Sequence, residues 1–505
     1  MKKFLVLVCC VWVAASCSDN DEPEFFVNEN PATFKEIGII DIGDVGAAEI
    51  SAYDPQTKKL FVVNNAGTAK VDVIDIANPA APTLTTSINL TSYAGAANSV
   101  AVKDGLLAIA IETVPDKQAP GKVLVFNTSD LKEVKQITVG ALPDMVTFTP
   151  DGAFILTANE GEPSTDYTND PEGSVSIISV KENYSVSTLN FAAFASQQAT
   201  LTAKGFRIFG LNATFAKDVE PEYIAVSSDS KKAWVTLQEN NGIAEINLVS
   251  RSIVGITPLG FKDFNAAGNA IDVSDQDGVV SFKNWNVKGI YQPDGIDVFE
   301  VNGGTYLITA NEGDAREYGT AFVEARRLGN SAYVLDATKF PNAATLKQNT
   351  QLGRLNVTTA TGDTDGDKDF DEIYTFGARS FTIWNSADGS IVYDSKNELD
   401  VKAQEAGVYD DGRSDDKGAE PEGVAVGKVG NQMVAFIGLE RADAVAIYDV
   451  TNPAFPVFLQ LLKSGDAPEG ILYIPAKDSP IQKSLLIVSS ENDGTVRIYQ
   501  PDTIL

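Results

Sequence analysis

A short pattern that returns along the chain limits its fold more than any other feature. It reads Pro, then Asp or Glu, then alternating apolar residues: Pro143-Asp144-Met145-Val146, Pro221-Glu222-Tyr223-Ile224, Pro293-Asp294-Gly295-Ile296, Pro421-Glu422-Gly423-Val424 and Pro468-Glu469-Gly470-Ile471. Copies without Pro lie at Glu49-Ile50-Ser51-Ala52 and Ser99-Val100-Ala101-Val102. A second apolar run follows each copy and tends to end in an acid or amide, as in Leu156-Thr157-Ala158-Asn159-Glu160 and Ile308-Thr309-Ala310-Asn311-Glu312. A turn and a third run with period-two alternation come next, as in Val445-Ala446-Ile447-Tyr448. Short strands punctuated by Gly, Asn, Asp and Pro read as all-β. Units of about 40 to 50 residues with several strands each read as propeller blades.

The fold expected is therefore all-β, a single β-propeller of seven or eight blades, and one wide ring accounts for 505 residues better than three domains. The segment 372–393 carries three further strands without the Pro-acid motif. It makes an eighth unit, the favoured count, or decorates a neighbour and leaves seven. The strand Glu36-Ile37-Gly38-Ile39-Ile40 has no unit of its own and is expected as the outer strand of the last blade, closing the ring and removing two open edges. The intervals 186–219, 252–290, 314–330 and 396–419 are expected as loop insertions.

Charge narrows the chemistry. The chain has 39 Lys and Arg against 69 Asp and Glu, a formal net charge of -30. Nucleic acid is excluded as a partner, because it needs a basic surface. Cations, cationic groups or a polymeric surface ligand fit better. There is no His at all. That removes Ser-His-Asp and Cys-His nucleophiles, His-ligated metals and imidazole acid/base chemistry.

The N-terminus reads as an address. Lys2 and Lys3 precede an apolar stretch, Phe4 to Ala15, too short to span a bilayer. It ends in Ala14-Ala15-Ser16-Cys17, which resembles a bacterial lipobox with Cys17 lipidated. The alternative is an ordinary cleaved signal with a stray cysteine. Residues 1–16 are then a signal peptide, 17–33 an acidic tether and 34–500 the propeller. The other cysteines, Cys9 and Cys10, leave with the signal, so the mature chain has no disulfide. Ser18-Asp19-Asn20-Asp21-Glu22 resembles the acidic export tags of Bacteroidetes surface lipoproteins. A monomer anchored through Cys17 at the outer membrane or cell surface is expected.

In a blade, the start of the innermost strand and the loop after the second strand emerge on one face. Asp144, Glu222, Asp294, Glu422 and Glu469 should therefore crowd one rim with Glu160, Glu239, Glu312, Glu440 and Glu491. Two carboxylates ~7 Å apart at an effective dielectric of ~20 repel by roughly 2 kcal/mol. Relief comes from divalent cations, raised pKa values or interleaved Arg. Arg316, Arg379 and Arg441 lie beside the motifs as ligand-binding candidates, together with Glu440 and Glu491. Oxygen-only ligands favour calcium or magnesium. The metal candidates are Glu160, Glu312, Glu422, Glu469 and Asp294. The competing reading has each carboxylate capping its own turn.

A second acidic run carries Asp363, Asp365, Asp367, Asp369 and Asp371 around Gly366. Acids at alternate positions resemble extracellular Asp-x-Asp-Gly-Asp calcium loops. The glycine is not where an EF-hand places it, so that motif is rejected. A solvated hairpin tip is the alternative to structural calcium. The run Tyr409-Asp410-Asp411-Gly412-Arg413-Ser414-Asp415-Asp416-Lys417 leads into Glu420-Pro421-Glu422 and must overhang the acidic rim, and the stretch 271–278 is placed likewise.

With Thr157-Ala158-Asn159-Glu160-Gly161-Glu162, Asp272-Val273-Ser274-Asp275-Gln276-Asp277-Gly278, Tyr291-Gln292-Pro293-Asp294, Arg413-Ser414-Asp415-Asp416-Lys417-Gly418 and Glu420-Pro421-Glu422-Gly423 laid out, the chain resembles the choice-of-anchor I family of bacterial surface propellers over roughly 34–500. The resemblance implies a cell-surface propeller of the YVTN/WD40-like class and no settled activity. Relatives are often labelled alkaline phosphatase-like, and Glu-Pro-Glu-Gly is similar to motifs of calcium-dependent propeller phosphatases and phytase-like esterases. Two functions follow as expectations. One is a binding or adhesion module with structural calcium. The other is a calcium-dependent phosphoesterase using the rim carboxylates as ligands. No catalytic residue is identifiable.

Overall fold

The computed structural model describes residues 25–504, so the expected signal peptide and the first part of the tether, with Cys17, lie outside the described residues. Among the described residues the chain builds seven four-stranded antiparallel sheets and three smaller ones. We number the seven by their leading strands: Ala47–Asp54, Gly95–Lys103, Pro143–Phe148, Ile224–Val226, Ile296–Val301, Pro421–Val429 and Pro468–Ile474. Each leading strand contacts that of the next sheet, and Pro468–Ile474 of sheet 7 contacts Ala47–Asp54 of sheet 1. The architecture is all-β and propeller-like.

Alternation decides how the sheets stack. In the second strand of sheet 2, Leu107, Ile109 and Ile111 pack with Val63 and Val73 of sheet 1. The intervening Ala108 and Ala110 pack with Ile155 and Ile178 of sheet 3. One strand thus serves two cores, and both of its faces are buried.

The strand expected at 36–40 lies within Glu29–Asp41, the fourth strand of sheet 7, paired antiparallel with Thr495–Thr503. The two ends of the described chain therefore share one sheet. The strand begins inside the stretch expected as tether. Glu29 is buried there and accepts hydrogen bonds from the Ser484 amide and hydroxyl at 2.9 and 2.6 Å.

The segment 372–393 does not make a unit of its own. Ser380–Asn385 and Ile391–Asp394 are the third and fourth strands of sheet 5, paired in turn onto Gly304–Asn311. Buried Asn311 explains the pairing, since its amide donates to Ser380 Oγ and Thr382 Oγ1. In sheet 3 the equivalent Asn159 donates to the Ser174 carbonyl and Ser176 Oγ. The insertion between these strands of sheet 5, residues 312–379, builds a separate core together with Phe264, Ile271, Val273 and Val287. Tyr333 stacks on Phe370 at 3.9 Å there, with Leu328, Leu352 and Val357 around them. Two of the intervals expected as loops begin with ordinary fourth strands, Ser185–Asn190 and Ser252–Pro258.

In three of its copies the Pro-acid motif is a bulge. Pro143 pairs with Asn159 and Met145 with Ala158, so Asp144 is left without a partner. Pro468 and Gly470 skip Glu469 in the same way, and Pro421 and Val424 enclose Glu422. A bulge re-aims the side chain it frees. The residue before the proline adopts positive φ in four copies: Leu142 (48°), Gln292 (42°), Glu420 (52°) and Ala467 (55°). This conformation is sparsely populated for a residue with a Cβ, and more so before proline. It turns a carbonyl toward the end of the second strand. Leu142 O accepts from Glu160 N, Glu420 O from Glu440 N and Ala467 O from Glu491 N, at 2.8, 2.9 and 3.0 Å. Each bond places the second-strand acid beside the bulge acid.

The glycine after the acid sets the spacing between sheets. A Cβ on Gly295 would lie 2.6 Å from Glu422 O, one on Gly423 2.5 Å from Glu469 O and one on Gly470 2.4 Å from Glu49 O. Only glycine allows this approach, which draws the acids of sheets 5, 6, 7 and 1 together. We predict that Gly423→Ala lowers stability by about 1–3 kcal/mol through overpacking. Chemical denaturation checks this, and an unchanged denaturant midpoint would contradict it.

Candidate functional site

The freed acids meet. Glu49, Asp144, Glu160, Glu222, Asp294, Glu312, Glu422 and Glu469 line one cavity of about 340 Å³, and they come from six of the seven sheets. Sheet 2 contributes Asn98 and Ser99 instead. All five rim residues expected as metal candidates are here: Glu160, Glu312, Glu422, Glu469 and Asp294. Below the acids the wall turns apolar, with Ile50, Met145, Tyr223 and Ile471. The same four residues also line a second cavity, of about 310 Å³, on the leading strands.

Crowding in a desolvated space disfavours the charged forms. Burial pushes Glu49 up to about 7, against the Asn65 amide that donates to it, with Glu491 and Asp144 adding to the rise. Asp144 is pushed up to about 6 by burial and then by Glu162. Glu469 rises to about 10, by burial and then by Glu491. Glu160, Glu222, Asp294 and Glu422 are all held well above the usual carboxylate range, burial first and neighbouring carboxylates second.

Cationic relief reaches the cavity through space from Lys117, which favours the charged form of Asp144, and by direct pairing from Lys417. Lys417 Nζ lies 2.5 Å from Glu312 Oε1 and 3.2 Å from Glu420 Oε2. The other Glu312 oxygen accepts from Gln238 Nε2 at 3.0 Å. The run 409–417 therefore does overhang the acidic rim. The stretch 271–278 does not. Ile271 and Val273 pack into the insertion core, and Asp275 pairs with Arg354 at 2.7 Å.

The three arginines divide. Arg316 is buried against Asp218 and Glu220 at 2.9 and 2.8 Å, with its guanidinium over the Phe209 ring. Arg379 is fully buried and donates to the carbonyls of Asp272, Ser414 and Asp416. Neither lines the cavity. Both hold insertions in place. Arg441 is half-exposed and pairs with Glu440 at 2.8 Å beside the rim. Burial pushes Glu440 up to about 7, with Glu312 adding to the rise. Glu491 closes the second strand of sheet 7 next to Glu469.

Two important acids are the first Glu of a Glu-Pro-Glu sequence, which among the described residues occurs at 220–222 and 420–422. Glu220 is held by Arg316, and Glu420 by Arg413 and Lys417. The second Glu, Glu222 or Glu422, faces the cavity. The repeated tripeptide was the available signal. Thr157 and Asn159, by contrast, are buried and bonded to each other, as are Thr309 and Asn311, so of the shared Thr-Ala-Asn-Glu-Gly only the glutamates reach the cavity.

Several acids approach in threes. One carboxylate oxygen from each of Glu160, Glu222 and Glu239 lies within 4.8 Å of the others, and the same holds for Asp294, Glu312 and Glu422 and for Glu312, Glu420 and Glu440. The acidic run at 363–371 lies on the insertion, away from the cavity lining. Asp363 accepts from the Gly366 and Lys368 amides, Asp365 from Asp367 and Asp367 from Asp369. Asp363, Asp365 and Asp371 form one triplet, and Asp336, Asp369 and Asp371 another. Carboxylate sets of this kind suit hard divalent cations.

Comparison with known proteins agrees with the fold. Hydrazine synthase from Kuenenia stuttgartiensis superposes with a TM-score of 0.50 at 12% identity, covering 92% of this chain and 97% of that one. The chain is 25% identical over 336 residues to a mesenchyme-specific cell surface glycoprotein of Strongylocentrotus purpuratus, and 28% identical over 182 residues to Gigasin-3a of Magallana gigas. These matches cover 57% and 29% of this chain, and only 41% and 64% of the relatives' own lengths. Among the described residues no helix is long and apolar enough to cross a membrane. The profile of the choice-of-anchor I domain matches residues 49–453, so the chain belongs to that family, and membership implies a protein of the cell surface.

Proposed function

We propose that this protein is a surface-anchored binding module, a single closed ring of seven blades whose acidic cavity holds divalent cations, calcium foremost, and offers them to a ligand. The carrying observation is the convergence of eight carboxylates from six sheets on one cavity. A concave acidic site inside a protein of net charge -30 attracts cations and cationic groups. A bound calcium would keep open coordination positions for the oxygens of a polymeric surface ligand. The ring reading is supported by the run of contacts between leading strands and by the sheet that both chain ends share. Lipidation at Cys17 would supply the anchor at the outer membrane. The cell-surface name of one relative is consistent with that location. The 363–371 loop is proposed as a structural calcium loop that stiffens the insertion. The phosphoesterase reading is weaker, because Arg316 and Arg379 are spent on internal partners and are not free for phosphate.

Calorimetry of the mature chain should give saturable calcium binding, with no calcium-dependent hydrolysis of p-nitrophenyl phosphate or phytate. Calcium-dependent turnover lost in Glu422→Gln would instead establish the enzyme.

The raised carboxyls also set a pH dependence. Their folded pKa values exceed the unfolded ones, so the folded state binds more protons and its stability falls as pH rises from about 4.5. The loss should run through about 6 for Asp144 and about 7 for Glu49 and Glu440. The melting temperature in EDTA should therefore be higher at pH 5 than at pH 8, and calcium should restore it at pH 8. A metal-free melting temperature that increases between pH 5 and pH 8 would contradict this.

A further inference from the structure

The carboxylates of the cavity are not equivalent. Both oxygens of Glu312 are already engaged, one by Lys417 Nζ and one by Gln238 Nε2. The Asp294–Glu312–Glu422 group thus carries its own ammonium counter-charge, although Glu422 Oε2 is without a hydrogen-bond partner. The neighbouring group, on sheets 3 and 4, is differently supplied. Glu239 is only 4% exposed, and its Oε2 has no hydrogen-bond partner. A buried carboxylate oxygen in that state is costly. The guanidinium groups nearby act on it only through space and give its carboxylate no hydrogen bond. Arg207 donates to the Glu239 carbonyl rather than its carboxylate, and its other nitrogen goes to Glu324 and Thr358. Arg316 is taken by Asp218 and Glu220. What Glu239 does approach is carboxylate oxygen from Glu160 and Glu222, all within 4.8 Å.

We propose that Glu160, Glu222 and Glu239 form a discrete site for one calcium-sized cation, the tightest divalent site of the cavity. Oxygens at this mutual spacing fit around an ion whose oxygen contacts are about 2.3–2.6 Å. Glu160 follows strand Phe154–Asn159 directly, Glu222 belongs to the Pro-acid motif of sheet 4, and Glu239 follows strand Lys232–Leu237 after one extra residue. That extra residue, Gln238, lines the cavity and reaches Glu312. Glu239 is thereby set back into the wall, where it completes a pocket rather than a rim. The ion supplies the missing partner of Glu239 Oε2 and removes the repulsion among the three. Three carboxylates leave a monovalent ion undercompensated, which favours calcium over sodium or an amine.

The assignment rests on the reading of the cavity as a cation binder, and the test separates the two. The metal-free mature chain is titrated with calcium by calorimetry, and by terbium luminescence displaced with calcium. Glu239→Gln should weaken the tightest calcium class by at least about tenfold, as loss of a ligand does. Glu422→Gln should leave that class within about twofold and affect only weaker binding. Glu239→Asp, which keeps the charge and shortens the reach, should weaken the same class and serves as the second variant if Glu239→Gln misfolds. Removing a buried charge should not lower the metal-free melting temperature at pH 8, so a fall there would mark misfolding rather than ligand loss. Unchanged tight binding in Glu239→Gln and Glu239→Asp, or its loss in Glu422→Gln alone, would overturn the assignment while leaving the cation-binding reading intact. A wild-type chain that binds no calcium would overturn both.

Discussion

Like charge held at close range is the constraint around which this molecule is organised. The backbone does the holding. A bulge frees one acid in the leading strand, as at Asp144 and Glu469. A left-handed residue before the proline then hands its carbonyl to the amide of a second acid, as Leu142 does to Glu160 and Ala467 to Glu491. Glycines 295, 423 and 470 let neighbouring leading strands close in until these acids share one space. Each device costs free energy locally, in strained backbone or desolvated charge. Their repetition in successive sheets is what makes them cumulative.

Much of the remaining charge keeps that arrangement in position. Arg316 ties Phe209 and the segment Asp218–Glu220 together, and Arg379 gathers three carbonyls from two insertions. Removing either arginine would leave buried acceptors and carboxylates unpaired, which is why such pairs are hard to dissect by single substitution. Lys417 is the cation that reaches from an insertion to the cavity itself, through Glu312. The insertions are therefore more than decoration, since one of them tunes the charge of the site.

Sequence repetition made the inner part of this plan readable. Pro-acid and Asn-Glu turns recur because each sheet solves the same local problem, so their convergence followed from counting strands. Pairing across the 312–379 insertion was not readable. Ser380–Asn385 and Ile391–Asp394 have ordinary strand character, and nothing local states that their partner is Gly304–Asn311. The clue lay in Asn311, which repeats the role of Asn159 and needs hydroxyls on a third strand. The direction of a side chain was equally hidden. Arg316 and Arg379 adjoin acidic motifs in sequence yet point into the body, while Lys417 was visible only as the end of a charged run. Glu239 stood among the rim acids by position. Its withdrawal into the wall depends on one residue, Gln238, inserted before it.

The most direct test is the protonation of the acids themselves. Carbon-13 NMR of protein labelled at the Asp and Glu carboxyls would be followed from pH 4 to pH 10, without metal and with calcium. The account predicts a distinct set of carboxyls titrating between about 6 and about 10 in the metal-free protein, as for Asp144 and Glu469. That set should move into the ordinary range, near or below about 5, when calcium is added. Metal-free carboxyls that all titrate below about 5, unchanged by calcium, would show that the acids do not share a desolvated space and would refute the central claim.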